Sequence, residues 1–203
     1  MVLCLAAHAD DIEIGAAGTL RHLADHHSDA RFTFVVFTGD QQRRVEAEGS
    51  IRSLLGDRAT LHMATFRDGY LPYEDPAAVK DYLRHVPDIK AADLVFAPIT
   101  NDLHQDHAFV AHLADQILRD HLILGYEIAK YDGDLGHPQA FVALTEEEVQ
   151  AKVEHLAGHF ASQHMKPWYT EDGFMALMRI RGIESNSPSG FAEAFDVSKL
   201  IVG

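Results

Sequence analysis

Val2-Leu3-Cys4-Leu5-Ala6-Ala7-His8-Ala9-Asp10-Asp11 is the stretch that decides the fold. Its first six residues are apolar without polar alternation, the pattern of a strand covered on both faces. Gly15-Ala16-Ala17-Gly18-Thr19-Leu20-Arg21-His22-Leu23 then reads as a helix, so His8 to Asp11 fall on a strand-to-helix turn. Open α/β sheets bind their ligands at such turns.

Working outward, further strand-like runs lie at 32–37, 59–63, 94–97 and 122–126, and helical patterns separate most of them. Arg43 to Leu55 carries apolar Val45, Ile51, Leu54 and Leu55 and ends at Gly56, while Ala108 to Leu118 keeps Val110, Ala111, Ala114, Ile117 and Leu118 near one face. This βαβ alternation predicts an α/β fold: a Rossmann-like, doubly wound, mostly parallel sheet with helices on both faces. The regular winding stops at the loop Tyr131 to Pro138. A strand-like Gln139 to Leu144 follows, then a helix opened by the capping box of Thr145 and Glu148 with Val149, Val153, Leu156 and Phe160 as its buried stripe. The remainder holds a helical segment around Phe174 to Arg181, a Ser/Asn/Pro/Gly loop at Ser185 to Gly190, and an expected final strand or edge near Leu200 to Val202. With 203 residues and 47% hydrophobic content, the expectation is one domain spanning 1–203.

Composition narrows the function. Seventeen basic against thirty-one acidic side chains give a formal charge of -14, which repels a phosphate backbone and argues against nucleic acid as a partner. No apolar stretch approaches the ~20 residues of a membrane span, and the N-terminus lacks signal-peptide features, so a soluble, cytoplasmic protein is expected. The single cysteine, Cys4, reads as a small core residue. Fourteen histidines are many, but most fall on polar helix faces and identify no ligand by number alone.

A second cluster, Asn101-Asp102-Leu103-His104-Gln105-Asp106-His107, follows the strand at 94–97 and precedes the helix near Ala108. Carboxyl ends of parallel strands share one sheet edge, so the two clusters can converge. Catalytic zinc takes three protein ligands of imidazole and carboxylate type and leaves a position for water; His8, Asp11 and His107 supply such a set. Asp10 suits a general base, and His104, oriented and kept cationic by Asp106, suits an oxyanion stabiliser. Iron(II) is compatible with the same two-histidine, one-carboxylate set. The competing readings are helix capping by His and Asp at either turn, and a phosphate cradle at Gly15 and Gly18. No G-x-G-x-x-G is present, and Asp10, Asp11 and Glu13 would repel a phosphate.

Over most of its length the chain resembles the PIG-L / LmbE-like N-deacetylases. Ala7-His8-Ala9-Asp10-Asp11 corresponds to their usual Ala-His-Pro-Asp-Asp, with Ala9 in place of the proline, and His104-Gln105-Asp106-His107 to their His-x-Asp-His. The resemblance implies zinc held by His8, Asp11 and His107, Asp10 as base, and His104 with Asp106 at the oxyanion. It also implies a small-molecule substrate, an N-acetylated amino sugar or sugar conjugate of the N-acetylglucosamine type, losing its acetyl group. Arg44, Asp68 and Glu127 are candidate substrate contacts, and Trp168-Tyr169 a candidate stacking surface. Arg44 pairing with Glu48 and Asp68 shaping a turn with Gly69 are the structural alternatives. Hydrolysis of another amide or ester, and non-catalytic binding of a sugar or nucleotide, are the functional ones. Oligomeric state is not legible.

Overall fold

The computed structural model describes residues 1–200. Among them a seven-stranded sheet runs in the order β3-β2-β1-β4-β5-β7-β6. β1 (Val2–Ala6), β2 (Phe32–Thr38), β3 (Ala59–Phe66), β4 (Leu94–Pro98) and β5 (Ile123–Tyr126) are mutually parallel. β7 (Ala192–Lys199) pairs antiparallel with both β5 and β6 (Ala140–Ala143). The doubly wound, mostly parallel fold class read from the sequence is the one observed.

The expected final strand is corrected in place and in role. β7 ends at Lys199 and runs inside the sheet, between β5 and β6, rather than along an edge at Leu200. Leu200 is exposed. Residues 201–202, the rest of that expectation, lie outside the described residues.

β1 explains how the layers form. Val2, Cys4 and Ala6 face one apolar cluster with Phe34, Phe96, Tyr126 and Phe195, while Leu3, Leu5 and Ala7 face another with Phe37, Val79, Leu83 and Val110. A two-residue period thus distributes six small or branched side chains over both faces. The first face is covered by α1 (Asp11–His26), α2 (Gln41–Leu55), α5 (Glu146–His159) and α6 (Glu171–Glu184), the second by α3 (Pro76–His85) and α4 (Gln105–Ile117). Cys4 is fully buried, as a small core residue should be.

α1 begins at Asp11, four residues before the expected Gly15, because Asp11 and Glu13 suit the positive first turn. Gly15 and Gly18 have a packing reason to be glycine. A Cβ at Gly15 would stand 2.4 Å from the Tyr126 ring, and one at Gly18 would stand 2.8 Å from Leu144. Their absent side chains let α1 press onto Tyr126 at the end of β5 and onto Leu144 just past β6, which fixes the helix start beside the carboxyl end of β1. The phosphate-cradle reading is set aside, since Gly18 N donates to Glu193 inside the protein.

Strand order reverses between β1 and β4, whose neighbours β2 and β5 lie on opposite sides. The turn after β1 carries His8 to Asp11 and the turn after β4 carries Asp102 to His107. Both therefore open into the crevice at the switch point.

Candidate active site

The two turns meet. His8 Nδ1 stands 3.0 Å from His107 Nε2, and the Asp11 carboxylate lies 3.5 Å from the first and 3.4 Å from the second. His8 N donates to Asp11 Oδ2 at 2.8 Å, which pins the carboxylate across its own turn. At that spacing one ring nitrogen donates to the other when protonated, and one small cation between them would serve both. Zinc bonds of about 2.0–2.1 Å in a tetrahedral arrangement place ligand atoms about 3.3–3.4 Å apart, so the donor set fits a single zinc-sized ion.

The far side of each ring supports the fit. His107 Nδ1 is 3.0 Å from Asp102 Oδ2, which holds the Nδ1 proton and turns Nε2 toward Asp11 and His8, where a bound cation would take the place of the second ring proton. His8 Nε2 is 3.0 Å from Asp68 Oδ1 and 3.5 Å from Asp106 Oδ2. Each of the two candidate histidine ligands thus has a carboxylate behind it. Burial disfavours charge on His107, but Asp11 and Asp102 outweigh it and push the imidazole up to about 9. His8 is likewise raised, burial being outweighed first by Asp11 and then by Asp106 and Asp68. Burial raises the Asp11 carboxyl, yet His107 and His8 together hold it well below the usual range.

Asp10 is buried beside this set, and its Oδ1 is gripped by the Arg43 guanidinium. It makes no side-chain cap on α1, so capping does not account for it. His104 is the N-cap of α4: its Nδ1 accepts from the Asp106 N-H at 3.2 Å. The capping reading thus holds for His104, while leaving its Nε2-H free to donate.

The expectation that Asp106 keeps His104 cationic needs correction. The Asp106 carboxylate accepts from Gly69 N at 2.7 Å and Leu71 N at 3.0 Å, and it faces His8 instead of His104. Burial first, then the neighbouring His107 and His8, lower the His104 pKa. The ring stacks on His107 at 4.4 Å between centroids and meets His8 edge-on at 5.0 Å. Asp106 instead fastens the loop that carries Asp68.

Of the candidate substrate residues, Asp68 is exposed and lines the cavity, with the His8 ring holding its carboxyl below the ordinary range. Arg44 does not line it. Its guanidinium donates to Met63 O at 2.6 Å and lies 3.9 Å from Glu48, the structural alternative. One residue of helix is about 100°, and that rotation sends Arg43 inward and Arg44 toward β3. Glu127 is also excluded from the cavity, because Arg181 binds both its oxygens, at 2.6 and 2.8 Å, and Gly136 N adds a third donor.

The cavity holds about 350 Å³. Around the donor set it is lined by Thr38, Gly39 and Arg43, by Asp68 and His104, by Ile128 and Lys130 to Asp132, and by Gln163, Lys166 and Trp168. Sequence reasoning missed Asp102, Lys130, Arg43 and Gln163. Asp102 stood within the quoted cluster and is the support of both His107 and Lys130, the latter 3.0 Å away. Trp168 lines the cavity, whereas Tyr169 is buried in the core.

A profile of the PIG-L family, described as GlcNAc-PI de-N-acetylase, matches residues 3–118, which include both clusters. The chain is similar to the N,N'-diacetylchitobiose deacetylase from Pyrococcus horikoshii, with 24% identity and a TM-score of 0.69 over 97% of this chain and 82% of that one. It is similar to a zinc-inhibited form of teicoplanin deacetylase, with 14% identity and a TM-score of 0.70 over 100% and 99% of the two chains. It is also similar to the 4-carboxy-2-hydroxymuconate hydratase from Pseudomonas putida, with 16% identity and a TM-score of 0.75 over 100% and 97%. At these identities the solved structures speak for the fold.

Proposed function

Since this chain belongs to the PIG-L family of GlcNAc-PI de-N-acetylases, we propose that its site hydrolyses the N-acetyl group of an N-acetylated amino sugar or sugar conjugate, with zinc as the metal. The observation that carries this reading is the convergence of His8 Nδ1, His107 Nε2 and the Asp11 carboxylate within 3.0 to 3.5 Å of one another at the switch point. His8, Asp11 and His107 would hold the ion. A bound zinc supplies Lewis acidity, polarising a carbonyl and lowering the pKa of water.

The chain's own groups do the proton chemistry. Asp10 is the general base: Arg43 fixes its Oδ1, so its second oxygen is presented to the water that attacks the amide carbon. The same carboxyl then returns the proton to the departing nitrogen as the C-N bond breaks, giving acetate and a free amine. His104 donates from Nε2 to the oxyanion of the tetrahedral intermediate, and the Asp106 N-H on Nδ1 holds that tautomer. A neutral donor suffices for this. Asp68, exposed at the cavity and fastened through Asp106, is placed for sugar hydroxyls.

Among the described residues no helix is long and apolar enough to cross a membrane. A small, water-borne substrate entering a cavity of about 350 Å³ agrees with that.

The test is metal content by plasma mass spectrometry on wild type and His8→Ala, followed by acetate and primary-amine assays on N-acetylated sugars. One zinc per chain, lost in the variant, with equimolar acetate and amine from wild type, is the expected result. Iron in place of zinc would change the metal and leave the reaction. Metal-loaded protein that releases no acetate but hydrates an unsaturated acid would move the chain to the chemistry of its hydratase neighbour.

A further inference from the structure

We propose that Gln163 is a specificity-determining residue that accepts a hydrogen bond from a hydroxyl of the sugar ring. The proposal rests on the deacetylase reading and names what that site selects. Gln163 is buried and lines the cavity, and its Oε1 has no donor among the described residues.

The orientation of its amide follows from a count of protons. Ser162 Oγ donates its single proton to Glu46 Oε2 at 2.6 Å, and Ser162 N donates to Glu46 Oε1 at 2.8 Å. Ser162 Oγ must therefore accept from its other neighbours, Arg43 at 3.0 Å and Gln163 at 2.9 Å. Only the amide nitrogen of Gln163 can donate, so the nitrogen faces Ser162 and Oε1 is the free end. The acceptor is held rigidly, because Glu46 and Arg43 clamp the turn Ala161–Gln163 onto α2.

The ligand group is a hydroxyl for two reasons. First, Gln163 is tied to Ser162, Arg43 and through it Asp10, and not to His8, Asp11 or His107, so its free oxygen is left for a part of the substrate other than the group those three hold. Five residues on, Trp168 lines the same cavity and meets Tyr131 edge-on at 6.3 Å. A fixed acceptor beside an aromatic surface is suited to a sugar, whose C-H face packs on the ring while its O-H meets the acceptor. A ligand that covers Oε1 without donating leaves a buried acceptor unpaired, a loss of roughly 10- to 100-fold in kcat/KM.

The experiment uses zinc-loaded protein and four probes: the methyl β-glycoside of N-acetylglucosamine and its 3-, 4- and 6-deoxy forms. Wild type should lose roughly 10- to 100-fold in kcat/KM on one deoxy glycoside. Gln163→Met should lose the same factor on the parent and nothing more on that deoxy form. The same coupling should appear in Kd for the deacetylated amine products, with zinc content unchanged. If Gln163→Met folds poorly, Gln163→Asn withdraws the acceptor by one methylene and should give the same pattern. Equal parent-to-deoxy ratios in wild type and variant would overturn the inference and leave the deacetylase reading standing. Wild type inactive on all four would overturn the deacetylase reading for such glycosides, and this inference with it.

Discussion

Charge is buried in two places, and the two are built on opposite principles. Behind α1, Lys152 Nζ meets Glu193 Oε1 and Ile14 O at 2.6 Å each, while Glu193 accepts from Gly18 N at 2.9 Å and Thr19 N at 2.6 Å. Every formal charge there has its opposite, and the same holds for Arg181 with Glu127. At the switch point His8 Nδ1 and His107 Nε2 turn toward each other and toward the one carboxylate of Asp11, a convergent donor set that a single cation would serve. A closed pair is architecture; a convergent, open set is a site.

The sharpest break of this comparison exchanges one carboxyl from each region. Asp10→Asn should lower kcat on the order of 10²- to 10⁴-fold, the usual worth of general acid-base catalysis, while zinc content stays at the wild-type level. Glu127→Gln should leave kcat/KM nearly unchanged and act on the unfolding midpoint instead, because its contacts are to Arg181 and Gly136 and not to the cavity. Comparable losses of activity from both substitutions would erase the distinction drawn here.

Next in size is the back pair alone. Lys152→Met leaves the Glu193 carboxylate buried without its counterion and should cost about 3–5 kcal/mol in denaturant unfolding. Adding Glu193→Gln should recover part of that loss, since it removes the unpaired charge while the amide oxygen still accepts from one of the two donors, Gly18 N or Thr19 N. A double variant no better than the single would mean the damage is packing, not charge.

The same contrast explains what the sequence disclosed. β1 and β2 were legible because Leu3, Cys4, Leu5, Val35 and Val36 make apolar runs that only a doubly covered strand tolerates. β7 was not, because Ala192-Glu193-Ala194-Phe195-Asp196 looks half-polar, and Glu193 is buried only by virtue of Lys152, 41 residues away. α3 carried a signal that went unread, Asp75 before Pro76, a cap followed by proline in the first turn. In the site, His8, Asp10, Asp11, His104 and His107 stood out because each turn packs its chemistry into four residues. Arg43 and Arg44 could not be told apart without the rotation of α2. Glu127 was drawn in by its place at a strand end, and its true partner lies 54 residues on.

The smallest expected effect sets two histidine pairs against each other. His107, facing Asp11 and Asp102, is pushed up to about 9 despite its burial. His155 is pushed down to about 4, by burial first and then by His159, and nothing anionic offsets it directly. Its Nε2 shares Ser50 Oγ with Glu13, which burial lifts to about 8 and so leaves largely uncharged at neutral pH. A histidine whose folded pKa lies below its unfolded value of about 6.5 binds its proton more readily when unfolded. Its contribution is therefore complete above about pH 6.5 and is lost as the pH falls through the window from 6.5 toward 4. His155→Gln removes that slope, on the order of 1–3 kcal/mol across the window after allowance for partial exposure. Carboxylates that titrate in the same range do so in both proteins and cancel in the difference. Parallel stability curves for wild type and His155→Gln between pH 6.5 and 4 would mean that His155 is solvated, and that its contact with Ser50 carries no electrostatic weight.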